Sequence, residues 1–181
     1  MRMLHFIDTE TTGLDCTKHE IIEIAIVTEY GDGRVDKWCT KIKPVRLLEA
    51  SPRALEINGY NDADWSDAPL LPQVIETIRE KLKDGIVVGH NVPFDVGFIR
   101  ESYKRCGLDP SAKLNRVGKY RVDTMTLAHE HLHPMGIVSL SLDGIRTFCG
   151  WSKKDSHTAL KDALDCRRLY WSLLRRHWSQ S

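Results

Sequence analysis

No run of apolar residues in this chain is long enough to cross a membrane, and there is no C-x-x-C pair, internal repeat or low-complexity tract. Each absence removes a class. A spanning helix needs about 20 consecutive apolar residues. The opening "MRMLHFID" is too short, and meets a carboxylate too early, to be a secretory signal. The five cysteines (16, 39, 106, 149 and 166) are an odd number at scattered spacings. They argue against a disulfide framework and for a reducing, cytoplasmic compartment. An excess of charge of one sign is also missing: 26 Lys and Arg against 25 Asp and Glu leave +1. That balance neither demands nor excludes a polyanionic partner, because charge can be segregated locally.

With 181 residues, 41% hydrophobic and 28% charged, the chain predicts one soluble globular domain over 1–181 with a sizeable core. "MLHFID" reads as a first strand and "EIIEIAIVTEY" as a second, alternating and β-branched. "GDGR" is a turn, and "VDKWCTKIKP" returns as a more polar strand, giving an antiparallel meander. "SPRALEINGY" and "LPQVIETIREKLK" read as helices; in the second, Val74, Ile75, Ile78 and Leu82 share a face and Gly85 ends it. "GIVVGHN" is a short apolar strand of the buried parallel kind. "PFDVGFIRESYKRCG" is a helix opened by Pro93 and closed by Gly107. "YRVD" is one more strand, and Asp123 caps the helix "TMTLAHEHL". "LSLDGIRTFCG" and "TALKDALDCRRLYWSLLRRHW" are further helices. The whole reads as an α/β domain with a mixed sheet.

Carboxylates are costly to bury, yet "FIDTETTGL" carries two on an apolar strand. Asp8 and Glu10 are i and i+2, so they share a face roughly 6–7 Å apart. That spacing suits a grip on one or two cations. A solvated edge strand is the plain alternative, and the preceding Phe6 and Ile7 speak against it. Asp95 stands on the first turn of a helix just after a buried strand, where partnership with the helix dipole alone would explain it. His157 and Asp162 are five apart and cannot share one helix face. His157 is therefore expected on the loop and Asp162 on the second turn. An imidazole beside a fixed carboxylate suits a general base.

In that order, "FIDTETTGL", "HNVPFDVGFI" and "HTALKDALD" resemble the three motifs of the DEDD exonuclease family. The form H-x-A-x-x-D resembles its histidine-bearing, DnaQ-like branch, that of proofreading epsilon subunits and ribonuclease T. The resemblance implies an RNase H-like fold: a five-stranded mixed sheet, antiparallel meander plus parallel strands, flanked by helices. It implies 3′→5′ release of 5′-mononucleotides from single-stranded or fraying ends of DNA or RNA, with a polymerase as a candidate partner. It also implies two divalent cations, Mg²⁺ or Mn²⁺. Such ions prefer hard oxygen ligands, and a pair about 3.5–4 Å apart clamps the attacking and leaving oxygens of an in-line displacement. Carried over by position, the metal carboxylates are Asp8, Glu10, Asp95 and Asp162, and the general base is His157. Leu14, Ile57, Asn58, Asn91 and Phe94 fall on positions that hold the terminal nucleotide. Asn58 stands where many relatives carry His, which implies an altered contact. Asp123, Asp155 and Asp165 match no metal position and are expected as caps and surface.

Three other readings compete. "HEHLHPMG" contains a literal H-E-x-x-H, with His129, Glu130 and His133 as a zinc-peptidase set. A third ligand is missing there, Ser139 standing in its place, and Pro134 ends the helix at the motif. "DTETT" has Glu where the D-x-D phosphatase loop needs Asp. The third rival is a catalytically silent binding module of a polymerase or replisome, against which the intact five-residue set argues. Finally, Arg100, Lys104, Arg105, Lys113, Arg116, Lys119 and Arg121, with Arg167, Arg168, Arg175 and Arg176, form either a phosphate-tracking surface or a solvated basic face.

Overall fold

A computed structural model describes residues 3–112, 115, 117–154 and 156–175. Its sheet is built from β1 (Leu4–Thr11), β2 (Ile21–Glu29), β3 (Val35–Lys41), β4 (Ile86–Gly89) and β5 (Arg121–Asp123). The strand order is β3-β2-β1-β4-β5. The first three strands pair antiparallel, and β4 joins β1 and β5 in parallel. This is the expected five-stranded mixed sheet. The helices are α1 (Pro52–Ile57), α2 (Asp62–Trp65), α3 (Leu71–Lys81), α4 (Val92–Arg105), α5 (Thr124–Leu132), α6 (Leu142–Phe148) and α7 (Ala159–Leu174). Among the described residues no helix is long and apolar enough to cross a membrane.

Strand alternation sorts the core into two layers. Ile7, Ile24, Ile26 and Val87 face one way and pack under α3 and α4, against Val74, Ile75, Ile78, Phe98 and Ile99. Leu4, Phe6, Ala25, Val27 and Val88 face the other way, against Ala159, Ala163, Cys166 and Tyr170 of α7. The small residues Ala159 and Ala163 let α7 lie close to the sheet. Phe6 meets Tyr170 edge-on at 5.5 Å between ring centres. Burying a side chain of that size contributes roughly 1.5–3 kcal/mol. A third cluster joins α5, α6 and α7 through Leu132, Ile145, Leu169 and Leu173.

Several boundaries differ from those expected. The helix α3 stops at Lys81, and the left-handed residue beyond it is Asp84 (φ 56°), not Gly85. "SPRALEINGY" is helical only to Ile57, since Gly59 (φ 62°) turns the chain and the short α2 follows. Gly107 (φ 75°) does close α4. The last helix is described to Leu174, and the part of it expected beyond residue 175 lies outside the described residues.

Candidate active site

The parallel strands β1, β4 and β5 end on the same side of the sheet, and α4 and α7 begin there. Open sheets bind ligands in this place, beyond the strand ends and beside helix N-termini. On β1 the apolar pair Leu4 and Phe6 lies beneath α7, and the same face then presents Asp8 and Glu10 as the strand runs out. The strand register shifts just after Glu10, between Glu10 and Thr11. From α7, Asp162 comes down to meet them. Asp8, Glu10 and Asp162 each place one carboxylate oxygen within 4.8 Å of the others.

Asp95 arrives from the opposite layer. It lies in the first turn of α4 and is buried, 3% exposed. Thr9, one residue from Asp8, donates its hydroxyl to Asp95 Oδ1 at 2.8 Å. Asp95 is thus a neighbour of the three-carboxylate group rather than a member of it. Asn91, in the left-handed region (φ 68°), turns the chain from β4 into α4. Its N–H bonds Asp123 Oδ1 at 3.0 Å, and that same oxygen caps α5 through the Met125 N–H at 2.9 Å. Asp123 is the expected cap.

The electrostatics are those of crowded anions. Burial, then the charges of Asp95, Asp162, Glu10 and Glu23, hold Asp8 well above the usual carboxylate range. Burial, then Asp162, Glu23 and Asp95, push Glu10 up to about 7. Burial lifts Asp95 to about 7 against the opposing hydrogen bond from Thr9. Asp162 is raised by burial and pulled back by Arg146. A set of hard, mutually repelling oxygens fits a divalent cation of the Mg²⁺ or Mn²⁺ kind.

Asp162 lies in the first turn of α7 rather than the second, because the helix begins only at Ala159. His157 precedes it on the loop, as expected, exposed and left-handed (φ 65°). Its Nε2 lies 3.5 Å from Asp143 Oδ2. Asp165 is not the surface residue expected. It is buried, 5% exposed, and bonded to Arg146 and Lys161. Arg146, Asp143, Thr9 and Glu23 escaped the sequence reading. The one available signal was the Asp143-x-x-Arg146 spacing, which places both on one helix face.

The five residues expected to hold the terminal nucleotide differ in exposure. Leu14 is 85% exposed and Ile57 46% exposed. Phe94 is half-buried, 4.8 Å from the Phe98 ring centre. Asn91 is exposed. Asn58 Nδ2 donates to the Thr11 carbonyl at 2.8 Å, which ties α1 to the end of β1.

The H-E-x-x-H stretch forms no three-ligand group among the described residues. α5 ends at Leu132 and a 3₁₀ turn, His133–Met135, takes over. His129 and His133 stack at 5.0 Å, exposed to solvent. Much of the basic run is committed elsewhere. Arg105 donates to the carbonyls of Cys16, Thr17 and His19. Lys104 pairs with Glu101, and Arg167 with Glu29. Arg168 and Arg175 lie over Trp151 and Trp171. Lys113, Arg116, Arg176 and Asp155 lie outside the described residues.

Comparison with known proteins shows the family and the fold. The DNA polymerase III PolC-type protein of Thermotoga maritima is 35% identical over 158 residues, 87% of this chain and 11% of that protein. The DNA polymerase III subunit epsilon of Treponema pallidum is 28% identical over 174 residues, covering 96% of this chain and 77% of the relative. E. coli exonuclease I, solved in its zinc-bound form with single-stranded DNA, superposes with a TM-score of 0.83 at 20% identity. That match covers 98% of this chain and 41% of the solved one, and shows a shared fold. The chain therefore spans only a small part of the PolC-type relatives' length. The family model described as "Exonuclease" matches residues 5–170, nearly all of the described structure. On that match, and with the motif carboxylates gathered at one end of the sheet, this chain belongs to the exonuclease family.

Proposed function

We propose that the chain is a divalent-cation-dependent 3′→5′ exonuclease that removes 5′-mononucleotides from single-stranded or fraying DNA ends. The observation that carries the reading is the convergence of Asp8, Glu10 and Asp162 within 4.8 Å, from elements at opposite ends of the sequence. Asp8, Glu10, Asp162 and the adjoining Asp95 would hold two Mg²⁺ or Mn²⁺ ions. When bound, these supply charge stabilisation for the attacking and leaving oxygens of the scissile phosphate. His157, exposed on a left-handed loop residue, takes a proton from the attacking water. Exposed Leu14 and Ile57, with half-buried Phe94, offer apolar contact to the terminal base. Asn91 and Asn58 border the sugar; the Asn58 amide already serves Thr11, so its contact with substrate is through its remaining polar atoms.

DNA as the substrate, and association with a replicative polymerase in the reducing cytoplasm, are supported by the polymerase III relatives. On this reading residues 1–181 act as one exonuclease domain. The test is digestion of 5′-labelled DNA and RNA oligonucleotides, single- and double-stranded, with Mg²⁺, Mn²⁺ or EDTA. A ladder shortening from the 3′ end, abolished by EDTA, is expected. Intact oligonucleotides bound by the protein with either metal would instead make it a silent binding module.

A further inference from the structure

Arg146 on α6 is among the largest side chains that the protein buries fully, at 1% exposure. Each arm of its guanidinium meets a different carboxylate. Nε donates to Asp165 Oδ2 at 2.8 Å, Nη1 to Asp143 Oδ1 at 2.8 Å and Nη2 to Asp162 Oδ1 at 2.5 Å. Two of these partners lie beside the reactive groups: Asp162 belongs to the three-carboxylate group, and the other oxygen of Asp143 faces His157 at 3.5 Å. The third partner, Asp165, is also held by Lys161 one helical turn back. A planar fork fixed at three points defines the direction of each partner in a way that a point charge does not.

We infer that Arg146 is a positioning residue for the reaction: its fork fixes the direction of the Asp162 carboxylate, and its positive charge beside that carboxylate weakens cation binding. The inference rests on the proposed role of Asp162 as a metal ligand. Its logic is one of charge and geometry together. A cation at Asp162 shares that carboxylate with a guanidinium, so the site binds metal less tightly than free carboxylates would. In return Asp162 is held against rotation, and misplacement by about 1 Å at a reacting centre costs on the order of 10²-fold in rate. Loss of a residue needed only for folding would lower metal affinity and rate together. A residue that orients the ligand by competing for it moves them in opposite directions.

The test uses the full chain with Arg146→Gln, which keeps donors but loses the charge, and Arg146→Lys, which keeps the charge but loses the fork. Mn²⁺ binding without nucleic acid is read by electron paramagnetic resonance, and kcat and KM are measured on an oligonucleotide. Circular dichroism checks the fold. Arg146→Gln is expected to bind Mn²⁺ about tenfold tighter, from the loss of one nearby positive charge, while kcat falls about 100-fold with KM little changed. Arg146→Lys is expected to keep Mn²⁺ affinity within about threefold but to lose about tenfold in kcat. Weaker Mn²⁺ binding by folded Arg146→Gln overturns the inference, as does wild-type kcat in either folded variant. If Arg146→Gln does not fold, Arg146→Lys decides by the same kcat criterion. Asp8→Asn separates the two levels. Loss of Mn²⁺ binding there, with Arg146 variants unchanged, overturns the role of Arg146 alone. Retained Mn²⁺ binding overturns the metal site and this inference with it.

Discussion

Glu10 on β1 and Glu23 on β2 stand directly opposite each other in the antiparallel register. Like charges in that position destabilise a sheet, and here the carboxylates of Asp8 and Asp162 lie close by as well. Glu23 accepts a hydrogen bond from the Cys39 thiol at 3.2 Å, which turns it partly toward β3. The sheet tolerates the pair because Glu10, with a pKa pushed up to about 7, is substantially protonated near neutrality when no cation is bound.

A pH dependence of stability follows. Glu10 titrates near 4.5 when unfolded and near 7 when folded, so between those values the folded chain holds a proton that the unfolded chain releases. Its contribution therefore falls as pH rises through that window, and is constant above it. The buried histidines His5 and His90, lowered by burial, act in the opposite direction as pH falls. Comparison with Glu10→Gln cancels them. In EDTA, the melting temperature of Glu10→Gln minus that of wild type should grow from pH 5 to 7 and then level. A flat difference would contradict the raised Glu10 pKa.

Removing the central carboxylate separates stability from activity. Asp8→Asn keeps the shape of the side chain and removes the charge that four neighbouring carboxylates oppose. It should melt higher than wild type in EDTA, by a few degrees, for a gain of about 1 kcal/mol. It should lose cleavage altogether, because a carboxylate that would hold the divalent cation is gone. Oligonucleotide digestion at the wild-type rate would remove Asp8 from the site.

His157 is expected to act on the proton and not on the metal. His157→Ala should bind Mn²⁺ and oligonucleotide nearly as wild type does, while kcat falls on the order of 10²–10⁴-fold. Higher pH should recover part of the lost rate as hydroxide replaces the base. A parallel fall in metal affinity would make His157 a ligand. Unchanged kcat would make it a surface residue and remove it from the motif.

Metal identity decides between the carboxylate group and the exposed His129–His133 pair. Carboxylate oxygens with no Cys favour Mg²⁺ or Mn²⁺. Elemental analysis after extensive dialysis should show no stoichiometric zinc, and His129→Ala should leave nuclease activity unchanged. One equivalent of tightly held zinc, lost in His129→Ala, would restore the peptidase reading.

What the sequence determined by itself is what backbone geometry dictates locally. The two-residue repeat of a strand put Asp8 and Glu10 on one face without reference to any other element. The 3.6-residue repeat of a helix gathered Val74, Ile75 and Ile78 into one buried stripe, and five steps from His157 to Asp162 separated loop from helix. Three ordered motifs then sufficed to indicate the family. Tertiary structure alone decided which side chains share a partner. Nothing local distinguishes Asp165 from a solvated helix residue; it is buried because α6 packs on α7 and brings Arg146 to it. Arg105 belongs to a run of basic residues by sequence, and is spent on three loop carbonyls by position. Asn58 is expected at a nucleotide-binding position from the motif resemblance alone, and its amide holds the end of β1. Polar groups driven out of water take whichever partner the packing of distant elements supplies, and that packing is set by apolar burial across the whole sheet.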